Sequence, residues 1–356
     1  MKYRVYLAAL LLPITLIAIV CTIVGLFLDP VIGDLTRLGG YSEKDFGWNG
    51  TEYIYSPPLA APGSLSSPAD IVVFGDSFSF HKSPDRQTPI GGYWVDQLAA
   101  ETGLSVIVFD VDQVRVETYI NSPIYGEHPP RFIIYESGER ELKPRLTDNS
   151  CKTPTSVKRS SISNAHKIEI TPIDVHAVPV QRLSAIYRDS GFFGRSISYL
   201  TKNIKRNIFD IRDIGGVKHH RLTRSDLFTS YKSTEFLAYG DDERTADWSQ
   251  QDWDDIQSSL ICLQENVQSN GTTRFLIVIA PDKTSAYGRY LAPPLLKKST
   301  MEYLMGSELN LVPVESSLKK AIEEGVQDVY LPNDTHWGTV GSKIAARAVV
   351  DYLTQP

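Results

Sequence analysis

The chain is poor in cysteine. Only Cys21, Cys151 and Cys262 occur among 356 residues, no Cys/His cluster has metal-site spacing, and at most one intramolecular disulfide has a plausible pair of partners. Positive charge is not in excess: 36 Lys and Arg stand against 42 Asp and Glu, a formal net charge of -6. That balance excludes a broad basic field and with it electrostatically driven nucleic-acid binding. Internal repeats and low-complexity tracts are also missing, which excludes a solenoid and a low-complexity tail. What remains is 42% hydrophobic and 22% charged, enough for a sizeable core in one large or two smaller domains.

Long apolar runs are confined to the N-terminus. Lys2 and Arg4 precede an almost unbroken apolar stretch from Val5 to Leu28, which predicts a transmembrane signal anchor over 1–28. No small-x-small cleavage pattern follows, since the next residues are Asp29, Pro30, Val31 and Ile32. Basic residues on the short end predict a cytoplasmic N-terminus and place the rest of the chain across the membrane. Val20 is a poor neighbour for lipidation of Cys21, which reads as a small apolar membrane residue. On the far side Cys151 and Cys262 either pair or stay as two buried thiols.

Residues 29–69, with Pro57, Pro58, Pro62, Gly63 and Pro68, read as a linker packed along a domain. From Ile71 short apolar runs alternate with amphipathic segments. Strands are expected at Ile71–Phe74, Ser105–Phe109, Arg131–Tyr135, Phe275–Ala280 and, more weakly, Val329–Leu331. Helices are expected from Tyr93 to Ala100, after Ser249 as N-cap, and from about Val340 to Leu353. This alternation predicts an α/β fold with a mostly parallel sheet covered on both faces. The stretch 143–245 breaks the rhythm and reads as an insertion in the domain 70–356. Its basic clusters, Lys205-Arg206 and Lys218-His219-His220-Arg221, and a helix-like Ser196–Ile208 read as a solvated face, or as a contact for an anionic polymer or lipid headgroups.

Two short motifs carry chemistry. "DIVVFGDSFSF" ends a strand at Gly75-Asp76-Ser77, the end of a parallel strand where ligands gather. Near the C-terminus "LPNDTHWG" sets Asp334 two residues before His336. A serine hydroxyl becomes a good nucleophile when a histidine takes its proton and a carboxylate orients that histidine. The Ser77 amide is a candidate oxyanion donor, Asp76 reads as a brace for the turn, and His81 is a rival base.

"FGDSFSF" together with "DTHWG" resembles the SGNH hydrolase superfamily, and within it the AlgX/AlgJ-like polysaccharide O-acetyltransferase branch. "IIYESGERELKP", "FLIVIAPDKTSAY" and the "GGYWVDQLAAETG" helix extend the resemblance over roughly 70–143 and 247–352. It implies an SGNH-hydrolase-like three-layer fold with Ser77 as nucleophile, His336 as general base and Asp334 as orienting carboxylate. It further implies a single-pass enzyme of the inner (cytoplasmic) membrane, with its catalytic domain in the periplasm, transferring acetyl groups to an exported polysaccharide. A multi-pass membrane acyltransferase would supply the acetyl groups, and no metal or cofactor is called for. A polysaccharide acetylesterase with the same triad and a non-catalytic polysaccharide-binding scaffold are the alternatives. Arg140, Lys283, Tyr287 and Trp337 are the candidate substrate-binding residues. Arg140 equally fits a salt bridge, Lys283 and Tyr287 simple loop structure, and Trp337 packing of its own loop. Here Asp-x-His follows the serine motif, as in ordinary SGNH esterases, whereas in the alginate proteins it precedes it. The glycine and asparagine oxyanion donors of the family are absent from "FDVDQVRVE" and "ESGERE".

Overall fold

The computed structural model describes residues 2–27, 33–81, 88–147, 170–180, 192–304 and 306–354. Lys2–Phe27 is one helix, and its Tyr3–Ile23 portion, with a mean hydropathy of 2.5, is long and apolar enough to cross a bilayer. The strands among the described residues are β1 Glu52–Ile54, β2 Ala61–Pro62, β3 Ile71–Gly75, β4 Val106–Asp110, β5 Phe132–Gly138, β6 Val178–Val180, β7 Val217–Leu222, β8 Glu235–Tyr239, β9 Arg274–Ala280 and β10 Leu291–Ala292.

The central sheet has the order β2-β4-β3-β5-β9, and every pairing in it is parallel. Apart from the two-residue edge strand β2, which is exposed, its strands are buried on both faces, period-2 alternation sending side chains two ways. Ile71 and Val73 pack with Trp94 and Leu98 of helix Trp94–Thr102 and with Ala345 and Val349 of helix Thr339–Thr354. Val72 and Phe74 pack on the other side with Tyr119 and with Trp253, Ile256 and Leu260 of helix Gln250–Gln268. The result is helix, sheet, helix. Ser249 starts the last of these helices through a reciprocal cap with Asp252.

Two expectations need correction. Val329–Leu331 is not a sheet strand: Leu311 bridges Ile277 at the outer edge of β9 and occupies that place. Tyr330 instead bridges Trp337, and the Leu331 N–H donates to the His336 carbonyl at 3.0 Å. The segment 29–69 is also more than a linker. Within it Asp34–Gly39 and Glu43–Phe46 are short helices, β2 adds the sheet edge beside β4, and β1 pairs antiparallel with β6 of the insertion. Residues 28–32 lie outside the described residues.

Within 143–245 the basic run Lys218–Arg221 forms most of β7, paired antiparallel with β8 and β10. Two of its four basic side chains face acidic ones, Lys218 on Glu243 and His219 on Glu235, each at 2.6 Å. Cys262 is disulfide-bonded and Cys21 is a buried free thiol. Of the two alternatives left open for Cys262 the paired one holds, and Cys151 lies outside the described residues.

Candidate active site

β3 is the middle strand of the sheet. The chain leaves it for β4 on one side, whereas its other neighbour, β5, leads onward to β9. A crevice opens at the carboxyl ends of strands whose connections diverge in this way, and Gly75-Asp76-Ser77 sits there. Gly75 is required by close approach: a Cβ would lie 2.2 Å from Ser79 Oγ and 2.8 Å from Glu136 Oε2. Asp76 braces the turn, accepting from the N–H of Phe78 at 3.0 Å and of Gly138 at 2.9 Å, and pairing with Arg145 at 2.7 Å. Burial pushes its carboxyl up, but Arg145 and these N–H donors outweigh burial and hold it below the ordinary range.

The loop before helix Thr339–Thr354 brings the partners. His336 Nε2 lies 2.8 Å from Ser77 Oγ, and His336 Nδ1 lies 2.6 Å from Asp334 Oδ1. Across 259 residues of sequence, the two motifs form one continuous relay. His336 and Asp334 are 4% and 1% exposed, whereas Ser77 is partly accessible, so the acid–base pair is shielded and the hydroxyl is not. Burial alone would lower the His336 pKa; the adjacent Asp334 carboxylate outweighs it and raises the value above 6.5. Asp334 moves the opposite way, below its ordinary value despite burial, because His336 and two backbone N–H groups stabilise its charge.

One of those N–H groups belongs to Asp34, at 2.9 Å from Asp334 Oδ2. Leu35 N–H also donates to the Asn333 carbonyl at 3.0 Å, and Asn333 Nδ2 donates to Glu43 at 2.8 Å. The chain just after the N-terminal helix thus forms one wall of the relay. Asp34, Asp334 and His336 bring ligand-type atoms within 4.8 Å of one another. Both ring nitrogens of His336 are already engaged with Asp334 and Ser77, so this set fits an acid–base relay better than a metal centre.

The four expected substrate contacts are differently employed. Lys283 is 1% exposed and its ammonium donates to the carbonyls of Leu331, Pro332 and Asp334 at 2.8, 3.0 and 3.0 Å. It fastens the loop that carries the relay. Burial draws it down to about 7, against the opposing pull of Asp334 and other carboxylates. Tyr287 is fully buried and packs on Phe228, Phe236 and Tyr330. Trp337 is 1% exposed and packs on Phe78 and Tyr330, so neither ring is open to a sugar. Arg140 pairs with Asp282 at 2.6 Å and Asp242 at 3.2 Å, a buried ion cluster. His81, the rival base, points its Nδ1 at Tyr93 Oη, 3.1 Å away.

Three contributors were not legible beforehand: Asp34, Glu136 and Arg145. Glu136 Oε2 accepts from the Asp76 N–H at 2.9 Å and from Ser79 Oγ at 2.7 Å. Burial and the nearby Asp76 charge push its carboxyl well above the ordinary range. Arg145 joins Asp76, Ser137 and Asp112. The only advance signal was their place within or just after a strand end or helix end. At the two positions where oxyanion donors were sought, the N–H groups are already used: Val111 donates to Gly75, Asp112 to Asp110 and Gly138 to Asp76. The Ser77 N–H donates to no acceptor among the described residues.

No family model, curated protein or solved structure matches the chain.

Proposed function

We propose that this chain is a membrane-anchored serine O-acetyltransferase of the SGNH type, acting in the periplasm on hydroxyls of an exported polysaccharide. The reading is carried by one observation, the Ser77–His336–Asp334 relay with spacings of 2.8 and 2.6 Å at the carboxyl ends of parallel strands. As Ser77 Oγ attacks the donor's acyl carbonyl, its proton passes to His336 Nε2. The bond from acyl carbon to donor then breaks, and His336 returns the proton to the departing group. This leaves an ester on Ser77. A sugar hydroxyl next gives its proton to His336 and attacks the ester carbon, and Ser77 Oγ leaves and regains the proton. Asp334 holds the Nδ1 proton throughout and offsets the imidazolium charge. The Ser77 N–H, which donates to no acceptor among the described residues, is the proposed donor to the developing oxyanion.

A membrane-embedded acyltransferase is the proposed source of acetyl groups, and the inner membrane the proposed site. The test uses the full chain, intact and as Ser77→Ala, with an activated acetyl ester and candidate oligosaccharides. Mass spectrometry follows acetate and acetylated sugar, and a fluorophosphonate reports on Ser77. Acetylated sugar and fluorophosphonate labelling that both require Ser77 support the reading. Acetate alone with every acceptor assigns the relay to an esterase, and equal turnover by Ser77→Ala refutes it.

A further inference from the structure

Helix Phe192–Phe209 carries four basic residues, Arg195, Lys202, Lys205 and Arg206, and no acidic one. One of its faces grips the chain that follows the N-terminal helix. Arg206 donates to the carbonyls of Gly39 at 2.6 Å and Gly40 at 3.2 Å, and its guanidinium lies 3.7 Å from the Tyr41 ring centre. Lys202 adds a bond to the Arg37 carbonyl at 3.3 Å. The opposite face, at i, i+4, i+7 and i+11, presents Ile197, Thr201, Ile204 and Ile208 to solvent. Ile208 is 70% exposed and Phe209, beside it, 66%. A stripe of isoleucines left in water marks a contact surface.

The occupant follows from where the helix lies. It packs against Lys2–Phe27, the helix long and apolar enough to cross a bilayer, so a bilayer around that helix also meets its neighbour. We propose that Phe192–Phe209 is an interfacial helix resting in the surface of an anionic bilayer. Ile204 and Ile208 enter the acyl boundary and Lys205 sits among headgroup phosphates. A cationic helix with one apolar stripe and no acidic residue fits that partner in both charge and polarity. A second copy of the chain fits less well, because it would bring like charges together. The proposal rests on the N-terminal helix crossing a membrane and is independent of the acyl-transfer reading. Through the grip on Gly39 and Gly40, a few residues beyond Asp34, it also ties the wall of the relay to the plane of the bilayer.

The test places a nitroxide on Ile208→Cys in the full chain, with Cys21→Ala to remove the free thiol. A label on Tyr231→Cys, a position 80% exposed, serves as the aqueous reference. In phosphatidylethanolamine–phosphatidylglycerol vesicles, the Ile208 label is expected to meet dissolved oxygen far more than a water-soluble nickel chelate. Replacing phosphatidylglycerol by phosphatidylcholine should raise its nickel accessibility by about fivefold, the share of one basic residue's attraction to the surface. Nickel accessibility equal to that of the Tyr231 label would overturn the proposal. So would broadening between labels that grows with the protein-to-lipid ratio, which would assign the stripe to a second copy. Both labelled positions are exposed, so circular dichroism matching the unlabelled Cys21→Ala chain is expected for each.

Discussion

Lys283→Met separates the stability of the chain from the alignment of its relay. The ammonium donates to three carbonyls of the loop from Leu331 to Asp334, and hydrogen bonds from a charged donor contribute roughly 1.5–3 kcal/mol each. Against this stands the cost of burying the charge. A pKa drawn from 10.5 to about 7 corresponds to a cost on the order of 5 kcal/mol. The two nearly cancel, so the substitution should lower global stability by only about 2 kcal/mol and Tm by about 3 °C. Catalysis should suffer far more, since the freed loop carries Asp334 and His336, and a misplacement of about 1 Å costs on the order of 10²-fold in kcat. The linkage has a definite sign. The folded chain holds this proton less tightly than the unfolded one, so the burial penalty is full below about pH 7 and is relieved toward pH 10.5. The stability deficit of Lys283→Met relative to the parent should therefore widen from pH 6 to pH 9. Urea melts at both pH values, with ester turnover under folded conditions, measure each quantity. Turnover within about twofold of the parent in a folded Lys283→Met chain would refute the fastening role.

The raised His336 pKa places the acidic limb of kcat/KM above 6.5, activity growing as the imidazole loses its proton; Asp334→Asn should move the limb below 6.5 and cut kcat by about 10⁴-fold in a pH–rate series. Gly75→Ala drives a Cβ onto Ser79 and Glu136; about 1–3 kcal/mol of stability and most fluorophosphonate labelling of Ser77 should go with it, as melts and mass spectrometry would read. Arg140→Met strips Asp242 and Asp282 of their shared cation and should cost about 3–5 kcal/mol. An Arg140→Met chain with unchanged Tm and a raised KM would return that residue to the substrate.

The parts legible in the sequence are those whose physics is local. An apolar run of strand length declares β3, β5 and β9, and Gly-Asp-Ser at the end of one strand with Asp-x-His before the last helix declares the relay, because each motif is contiguous. Its supports are not contiguous. The Asp34 N–H reaches Asp334 across 300 residues, Arg145 reaches Asp76 across 69, and neither spacing has a period to betray it. Lys283 and Tyr287 follow a strand, where a polar residue reads equally well as a ligand contact or as a buried strut. Only the burial of both and the three carbonyls around the ammonium decide between them. The prolines of 29–69 hide their role in the same way: β2 is only two residues long, too short to show alternation, yet it completes the sheet. The segment packs through Leu35, Tyr41 and Phe46 against Val217 and Leu237, and the N–H groups of Asp34 and Leu35 donate to Asp334 and Asn333 of the loop that carries the relay. The stretch that reads as a tether is therefore bonded to the loop that carries Asp334 and His336, through Asp34, Asn333 and Glu43.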